Sequence, residues 1–315
     1  MTIVTPSTEQ PAVAQGPRRR RRRDQLSWSR DGIERAVFGV LKWVFIFGFL
    51  LACLFPFYYM VLLSLRSIQQ LLLNPAELIP SAHEITVSTY RTVLKSADHG
   101  GDGFLTFLRN SGLIAIGTVI VTLIVSLPGA YAVSRLRFAG RRQVHFLFLA
   151  VYLFPSILLA IPLFVFFTRV GLRGNLIGLV IVYISQTVPV AIYMLRNYFD
   201  TVPASLEEAA AVDGCSRLRT LWTISLPLAR PAILATGLYV FMIAWNEYLF
   251  ALLFLIENRS RWTVSLGLAQ LSGSIEVPTT ELMAGSVILT IPIIVIFFLT
   301  ERLLTEGLTA GGEKG

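Results

Sequence analysis

Charge is scarce in this chain. Only 15% of its 315 residues are Asp, Glu, Lys or Arg, while 54% are hydrophobic, a balance that excludes an ordinary water-soluble domain of this size. Histidine is scarcer still. His83, His99 and His145 are the three in the chain, and none has a His or Cys neighbour at metal-ligand spacing, so no metal centre is expected. The two cysteines are Cys53, in an apolar run, and Cys215, in a polar insert; no disulfide is implied. Catalytic signatures are missing too. There is no HExxH helix, nucleophile elbow or Ser-Lys pair, and the GGEK near the C-terminus lacks the GK[ST] ending of a phosphate-binding loop. No internal repeat stands out. The chain is therefore expected not to be an enzyme, and to hold no cofactor itself.

What is abundant is apolar length. A bilayer core about 30 Å thick needs roughly 20 helical residues to cross it. Six apolar runs meet that requirement, at residues 43–65, 111–133, 144–168, 176–195, 232–256 and 282–300. Without water, a spanning segment must satisfy its own backbone, and the runs lack strict alternation, so helices are expected rather than barrel strands. The expected fold class is all-α, a polytopic six-span bundle. The passage FGFLLAC, ending at Cys53, has the look of a lipoprotein cleavage site. The apolar character continues beyond it, however, which fits a span better than a signal peptide.

The basic residues set an orientation. With six spans and the N-terminus inside, 18 Lys and Arg residues fall in inner segments against 8 in outer ones. The positive-inside rule then places both termini in the cytoplasm. The six arginines from Arg18 to Arg23 fit an orientation signal lying against anionic lipid better than a nucleic-acid site. They belong to a tail, residues 1–35, expected to be disordered.

Some polar residues interrupt the apolar runs. Asn246 and Glu247 lie past the middle of the fifth run and Gln186 lies in the fourth, where a polar or ionisable group is costly enough to need an aqueous path or a protein partner. Either these side chains line a translocation path, or they join helices through hydrogen bonds. Pro155 and Pro162 in the third run are expected to break or kink it.

Between the fourth and fifth runs lies a polar, helix-patterned insert, EEAAAVDGCSRLRTLWTISLPLARP. Ser205 and Glu208 have capping-box spacing, so a short helix is expected from Leu206 to Asp213, ended by Gly214 in a left-handed turn. Its Leu206, Ala209 and Ala210 share one face. Ser216 is placed to cap a second helix with a stripe of Leu218, Leu221 and Trp222, ended by Pro227. Two short helices around a tight turn form a rigid knuckle on the cytoplasmic side, suited to passing motion to the spans.

The run EAAAVDG, from Glu208 to Gly214, followed by ISLP, from Ile224 to Pro227, resembles the signature loop of binding-protein-dependent ABC importer permeases. The stretches PFYYMVLLSLR, FLRNS, AWNEYLFAL and the terminal GLTAGGEKG are similar to the MalG-type permeases of carbohydrate importers, a group that includes maltose and trehalose systems. The resemblance runs from the first span to the last residue, and only the first 35 or so residues depart from it. It implies a type I importer permease domain over residues 36–304 with a coupling region at 203–227, in a bacterial cell membrane. It also implies four partners: a second related permease, two ATPase subunits that bind ATP and Mg, and an extracytoplasmic sugar-binding protein or lipoprotein. By the same resemblance Ser205, Glu207, Glu208, Ala209, Ala210, Asp213, Gly214, Leu218 and Pro227 belong to the ATPase-coupling surface. Glu208 is the motif acid expected to pair with a basic group of the ATPase, and its capping-box role is the competing explanation. A tail at residues 305–315, with Gly311, Gly312 and Lys314, would reach the ATPases. Trp262, Gln270 and Ser272, in the outer loop 257–281, would contact the binding protein. The alternatives to an importer are a proton-coupled secondary transporter with Glu247 as the proton carrier, and a membrane enzyme acting on lipid.

Overall fold

Apolar runs that cannot borrow hydrogen bonds from water fold as helices, and among the described residues the chain has helices and no strand. The structure is a computed structural model that describes residues 30–75, 77–273 and 278–312. In chain order the helices are α1 (Arg30–Ser64), α2 (Ile68–Leu73), α3 (Ser88–Leu94), α4 (Phe104–Arg135) and α5 (Arg141–Leu153). There follow α6 (Ala160–Arg169), α7 (Leu176–Phe199), α8 (Ala204–Val212), α9 (Arg217–Thr220) and α10 (Leu226–Leu228). The last four are α11 (Arg230–Asn246), α12 (Leu249–Leu255), α13 (Val264–Ser272) and α14 (Thr279–Gly312). The chain divides within α1 into residues 1–55 and 56–315. In the first unit, Phe38, Trp43, Phe45 and Phe49 point outward along α1, a display of apolar surface that belongs in lipid rather than in water.

The second unit is built around α4 and α7. Along α4 the residues Ile114, Thr118, Thr122, Ser126, Ala130 and Ser134 recur every four positions and are all buried. Such a stripe of mostly small side chains lets helices approach closely, which is how membrane helices gain contact without a hydrophobic drive between them. Thr122 meets Thr187 of α7 hydroxyl to hydroxyl at 2.9 Å. Gly129 lies so close to α7 that a Cβ there would be 3.3 Å from Ile192 Cδ1. Beside this pair stands α11, where a Cβ at Gly237 would be 3.6 Å from Leu123 of α4. Helix α14 packs on α11, α13 and α3, and α5 packs on α7.

Four helical segments are long and apolar enough to cross a membrane: Glu34–Ser64, Phe104–Arg135, Leu176–Phe199 and Thr279–Glu301. The segments Arg217–Leu228 and Arg230–Asn246, bent by 77°, add a fifth if the pair is one span. Fewer than six segments pass this test as single helices because two of the six apolar runs are broken, the third of them where its prolines were expected to break or kink it. The third stops at Leu153, since Pro155 lacks an N–H and forces the preceding Phe154 into an extended conformation (φ −75°, ψ 125°). It resumes as a 3-10 turn, Ser156–Leu159, and then α6. The fifth breaks at Glu247, whose extended backbone (φ −64°, ψ 130°) ends α11. Helix α1 also begins earlier than the expected tail allows, so residues 30–35 are helical; residues 1–29 lie outside the described residues.

One contact makes the tightness of this packing testable. Buried Phe107 lies close against Gly267 of α13, and a Cβ on Gly267 would be 2.5 Å from Phe107 Cδ2. Overpacking of this kind costs about 1–3 kcal/mol, so Gly267→Ala is expected to lower the melting temperature in detergent micelles measurably.

Candidate functional site

The insert after α7 folds as a knuckle, and its turn follows the sequence closely. Gly214 adopts φ +79°, its N–H donates to the Ala211 carbonyl at 3.1 Å, and the Cys215 N–H donates to the Ala210 carbonyl at 2.9 Å. This is a Schellman closure, in which the left-handed glycine lets two orphan carbonyls at the helix end be satisfied. Ser216 then caps α9 as expected, its hydroxyl accepting from the Arg219 N–H.

Two details differ from expectation. The capping box does not form, because Pro203, with φ −59°, occupies the N-cap position and α8 starts at Ala204. Ser205 is then already helical and exposed, and a helical residue cannot turn its hydroxyl back onto the first amides. Pro227 does not end the second helix either. After α9 the backbone widens into a π turn, Leu221–Ser225, and helix continues as α10 up to Leu228. The broader turn makes room for a proline ring that an α-helical ladder would reject. The expected stripe on this arm is divided. Leu221 is buried with Leu226 and Ala229 against Tyr131, Leu195 and Phe199, while Leu218 and Trp222 are exposed at 66% and 64%.

The two adjacent acids of the knuckle have opposite surroundings. Glu207 is enclosed: its carboxylate accepts from Arg135 Nε at 3.0 Å, Ser225 Oγ at 2.9 Å and the Tyr131 hydroxyl at 3.2 Å. Arg135 continues to the Val202 carbonyl at 2.7 Å. Nearby, the Ser134 hydroxyl donates to Asp200 at 2.6 Å, and Arg141 donates to the Val133 and Ser134 carbonyls at the end of α4. Glu208 is exposed and has no partner among the described residues. With the capping role removed, its carboxylate is free for a group outside the chain. Elsewhere on the knuckle Leu206, Val212, Leu218 and Trp222 are all exposed, whereas Ala210 is buried and Ala209 is exposed. Asp213 forms the C-cap of α8. A cavity of about 320 Å³, lined by Arg135, Glu208, Cys215 and Arg217 among others, lies between α4 and the knuckle.

The three residues read as path candidates do not converge. Gln186 lines a cavity of about 560 Å³ together with Ser156, Ser185, Tyr239 and Phe250, and its Nε2 is buried without a hydrogen-bond partner. Asn246 lines a different cavity, of about 430 Å³, with Ser265, Ser272 and Ser286, and donates to the Met242 carbonyl. Glu247 is held in the fold. Its carboxylate accepts from the Phe250 and Ala251 N–H groups at 2.8 and 3.2 Å, capping α12, and from the Tyr183 hydroxyl at 2.5 Å. A carboxylate at the start of a helix satisfies orphan donors and meets the positive end of the dipole. That is why the fifth run tolerates an acid, and why it breaks there.

The loop after α12 is fastened at its start. The Asn110 side-chain amide donates to the Ser260 and Trp262 carbonyls, both at 2.9 Å, and the Ser111 hydroxyl accepts from the Val264 N–H at 2.9 Å. Trp262 turns inward, its indole N–H donating to the Leu255 carbonyl at 3.1 Å and its ring 5.7 Å from that of Phe107. Trp262 is half-buried, and an indole satisfied in this way has a structural role in the loop. Gln270 is half-buried and Ser272 exposed at the end of α13. Beside the loop, burial raises the Asp102 carboxyl above the usual carboxylate range, with the Arg259 guanidinium pulling it the other way. Gly311 and Gly312 are the last residues of α14, so the tail enters as helix; Lys314 lies outside the described residues.

Comparison with known proteins agrees with these features. Residues 119–305 match the family described as binding-protein-dependent transport system inner membrane component. The chain is 36% identical over 267 residues to the inner membrane ABC transporter permease protein YcjP of Escherichia coli, covering 85% of this chain and 93% of that one. It is 38% identical over 264 residues to the trehalose/maltose transport system permease protein MalG of Thermococcus litoralis, covering 84% and 92%. Its fold is similar to a chain in the crystal structure of a bacterial ABC transporter involved in import of the acidic polysaccharide alginate. The TM-score is 0.73 at 27% identity, with 88% of this chain and 99% of that one covered. The chain belongs to the family of binding-protein-dependent transport system inner membrane components, and within it to the permeases of carbohydrate ABC importers.

Proposed function

We propose that this chain is one permease subunit of a bacterial importer for a di- or oligosaccharide of the trehalose or maltose kind, and that it couples ATP hydrolysis in partner chains to alternating access. In this reading the knuckle and both termini face the cytoplasm. Two ATPase subunits, which bind ATP and Mg, dock on the knuckles of this chain and of a second, related permease. A binding protein or lipoprotein delivers the sugar from outside, near Trp262, Gln270 and Ser272. The observation that carries the reading is the knuckle itself: an inner face packed into the bundle, and an outer face showing Leu218, Trp222 and an uncommitted Glu208. Exposed apolar anchors and an available charge on the same knuckle suit a protein partner better than lipid. The named substrates of the Thermococcus litoralis relative support the sugar class.

Gln186, which lines the cavity of about 560 Å³ and has a buried amide nitrogen without a hydrogen-bond partner, is the path residue this reading favours. Glu247 is not: Glu247→Gln is expected to leave uptake and its sugar dependence within about twofold while lowering thermal stability, because a charge-assisted cap is replaced by a neutral one. A loss of uptake without loss of stability would return Glu247 to the path. The proton-coupled alternative needs this same carboxylate as its carrier, although three donors already occupy it.

The decisive experiment reconstitutes the chain in proteoliposomes with its neighbouring permease, ATPase and binding protein. The expected result is uptake of labelled trehalose or maltose that requires ATP and survives collapse of the proton gradient. Uptake that follows the proton gradient and ignores ATP would overturn the reading.

A further inference from the structure

The signature motif draws attention to Glu208, but the geometry assigns a separate task to its neighbour. We propose that Glu207 is the positioning residue that locks the knuckle to α4, so that a displacement of α8 arrives in the membrane helices as one rigid movement. The inference rests on the importer reading for the origin of the displacement, and on this chain alone for the lock.

Three donors from two separate places converge on one carboxylate. Tyr131 and Arg135 stand one turn apart on the last part of α4, and Ser225 closes the π turn on the return arm of the knuckle. Arg135 also holds the Val202 carbonyl just before α8 begins. Glu207 therefore joins the outgoing arm, the return arm and α4 at a single point. The ion pair is largely shielded, with side-chain exposures of 15% for Arg135 and 13% for Glu207, and Ser225 is fully buried. A charge pair in that setting is hard to open, because either partner left alone would be stranded away from water. The alternation is simple: of two consecutive acids on a helix, one turns into the protein and the other turns out. Only the outward acid is available to a partner chain, and only the inward one can carry load into α4. The π turn is explained as well, since it carries the Ser225 hydroxyl to within reach of Glu207.

The test uses the complete transporter and reads sugar moved per ATP hydrolysed. Glu207→Gln, close to isosteric, and Arg135→Gln are each expected to lower that ratio about tenfold. The double variant should be no worse than either single one, as for two halves of one interaction. Proportional falls in uptake and hydrolysis, or additive effects of the two substitutions, would overturn the proposal. A second measurement needs no partner: hydrogen exchange of the full chain in detergent. Amides of residues 204–212 should exchange about tenfold faster in both variants, and unchanged exchange would equally overturn the lock. If the wild-type complex shows no ATP-driven uptake, the functional reading falls, and the exchange measurement then decides the lock by itself.

Discussion

Glu208→Lys is expected to abolish ATP-driven uptake while leaving the chain folded. The carboxylate is exposed on α8 with no partner among the described residues, so reversing its charge removes no intramolecular contact. Its effect must come from outside the chain. Losing one member of a desolvated, hydrogen-bonded charge pair at an interface costs about 2–5 kcal/mol, and a reversal adds repulsion to that loss. The affinity of the ATPase for the solubilised permease should therefore fall by about 30-fold to several thousand-fold, measurable by interferometry on the immobilised permease. Melting temperature should stay near that of the wild type. Glu208→Gln should show a smaller loss in the same assay, since it keeps an acceptor oxygen and adds no repulsion. Unchanged ATPase affinity in Glu208→Lys would show that no basic group meets this position. The contrast with Glu207 is then diagnostic: substitution of the outward acid weakens docking, and substitution of the inward acid weakens transmission.

The legible and illegible parts of this protein divide along physical lines. Local signals could be read in advance. Gly214 demanded a left-handed turn, Ser216 demanded a cap, and Pro155 demanded a break, because each acts through its own backbone or the next few residues. The membrane class and helical nature of the runs were equally legible, since the bilayer leaves few other solutions. The lock at Glu207 was not legible. Its partners Tyr131 and Arg135 lie more than 70 residues upstream, and nothing in the stretch AVSRLRF marks Arg135 as an inward residue. The break at Glu247 was half legible. The cost of an acid in an apolar run was plain, but either a water path or a structural partner could meet that cost, and only the position of the Phe250 and Ala251 amides selects the second. Ser205 shows the opposite failure, where a correct spacing rule lost to a stronger neighbour: Pro203 fixed the helix start first. Asn110 and Ser111, noticed only as part of a resembling stretch, hold a loop 150 residues away.

The largest loss of stability is expected at the other end of the second unit, for Arg66→Ala. Arg66 ends an apolar run, yet its side chain is only 1% exposed, and it donates to Glu77 Oε2 at 2.7 Å. Its other terminal nitrogen donates to the carbonyls of Asn74 and Glu77, at 3.3 and 3.1 Å. The guanidinium thus ties Arg66 to both Asn74 and Glu77, and the Thr86 N–H adds a bond to the Leu65 carbonyl at 2.8 Å. Truncation leaves two carbonyls and a carboxylate without their donor, together with a void the size of the side chain. Breaking a buried charge network in this way costs about 3–5 kcal/mol. Glu77→Gln should cost far less, about 1 kcal/mol, because Glu77 is 34% exposed and the arginine keeps both carbonyls and one side-chain oxygen. The two substitutions remove the same ion pair, so equal shifts in melting temperature would mean that the pair itself is what stabilises the segment. A shift several times larger for Arg66→Ala would mean that the buried donor matters and its charge partner is secondary. The second outcome is expected, because a planar fork serving three oxygens organises the loop, and one of those oxygens can turn to water when the charge is lost.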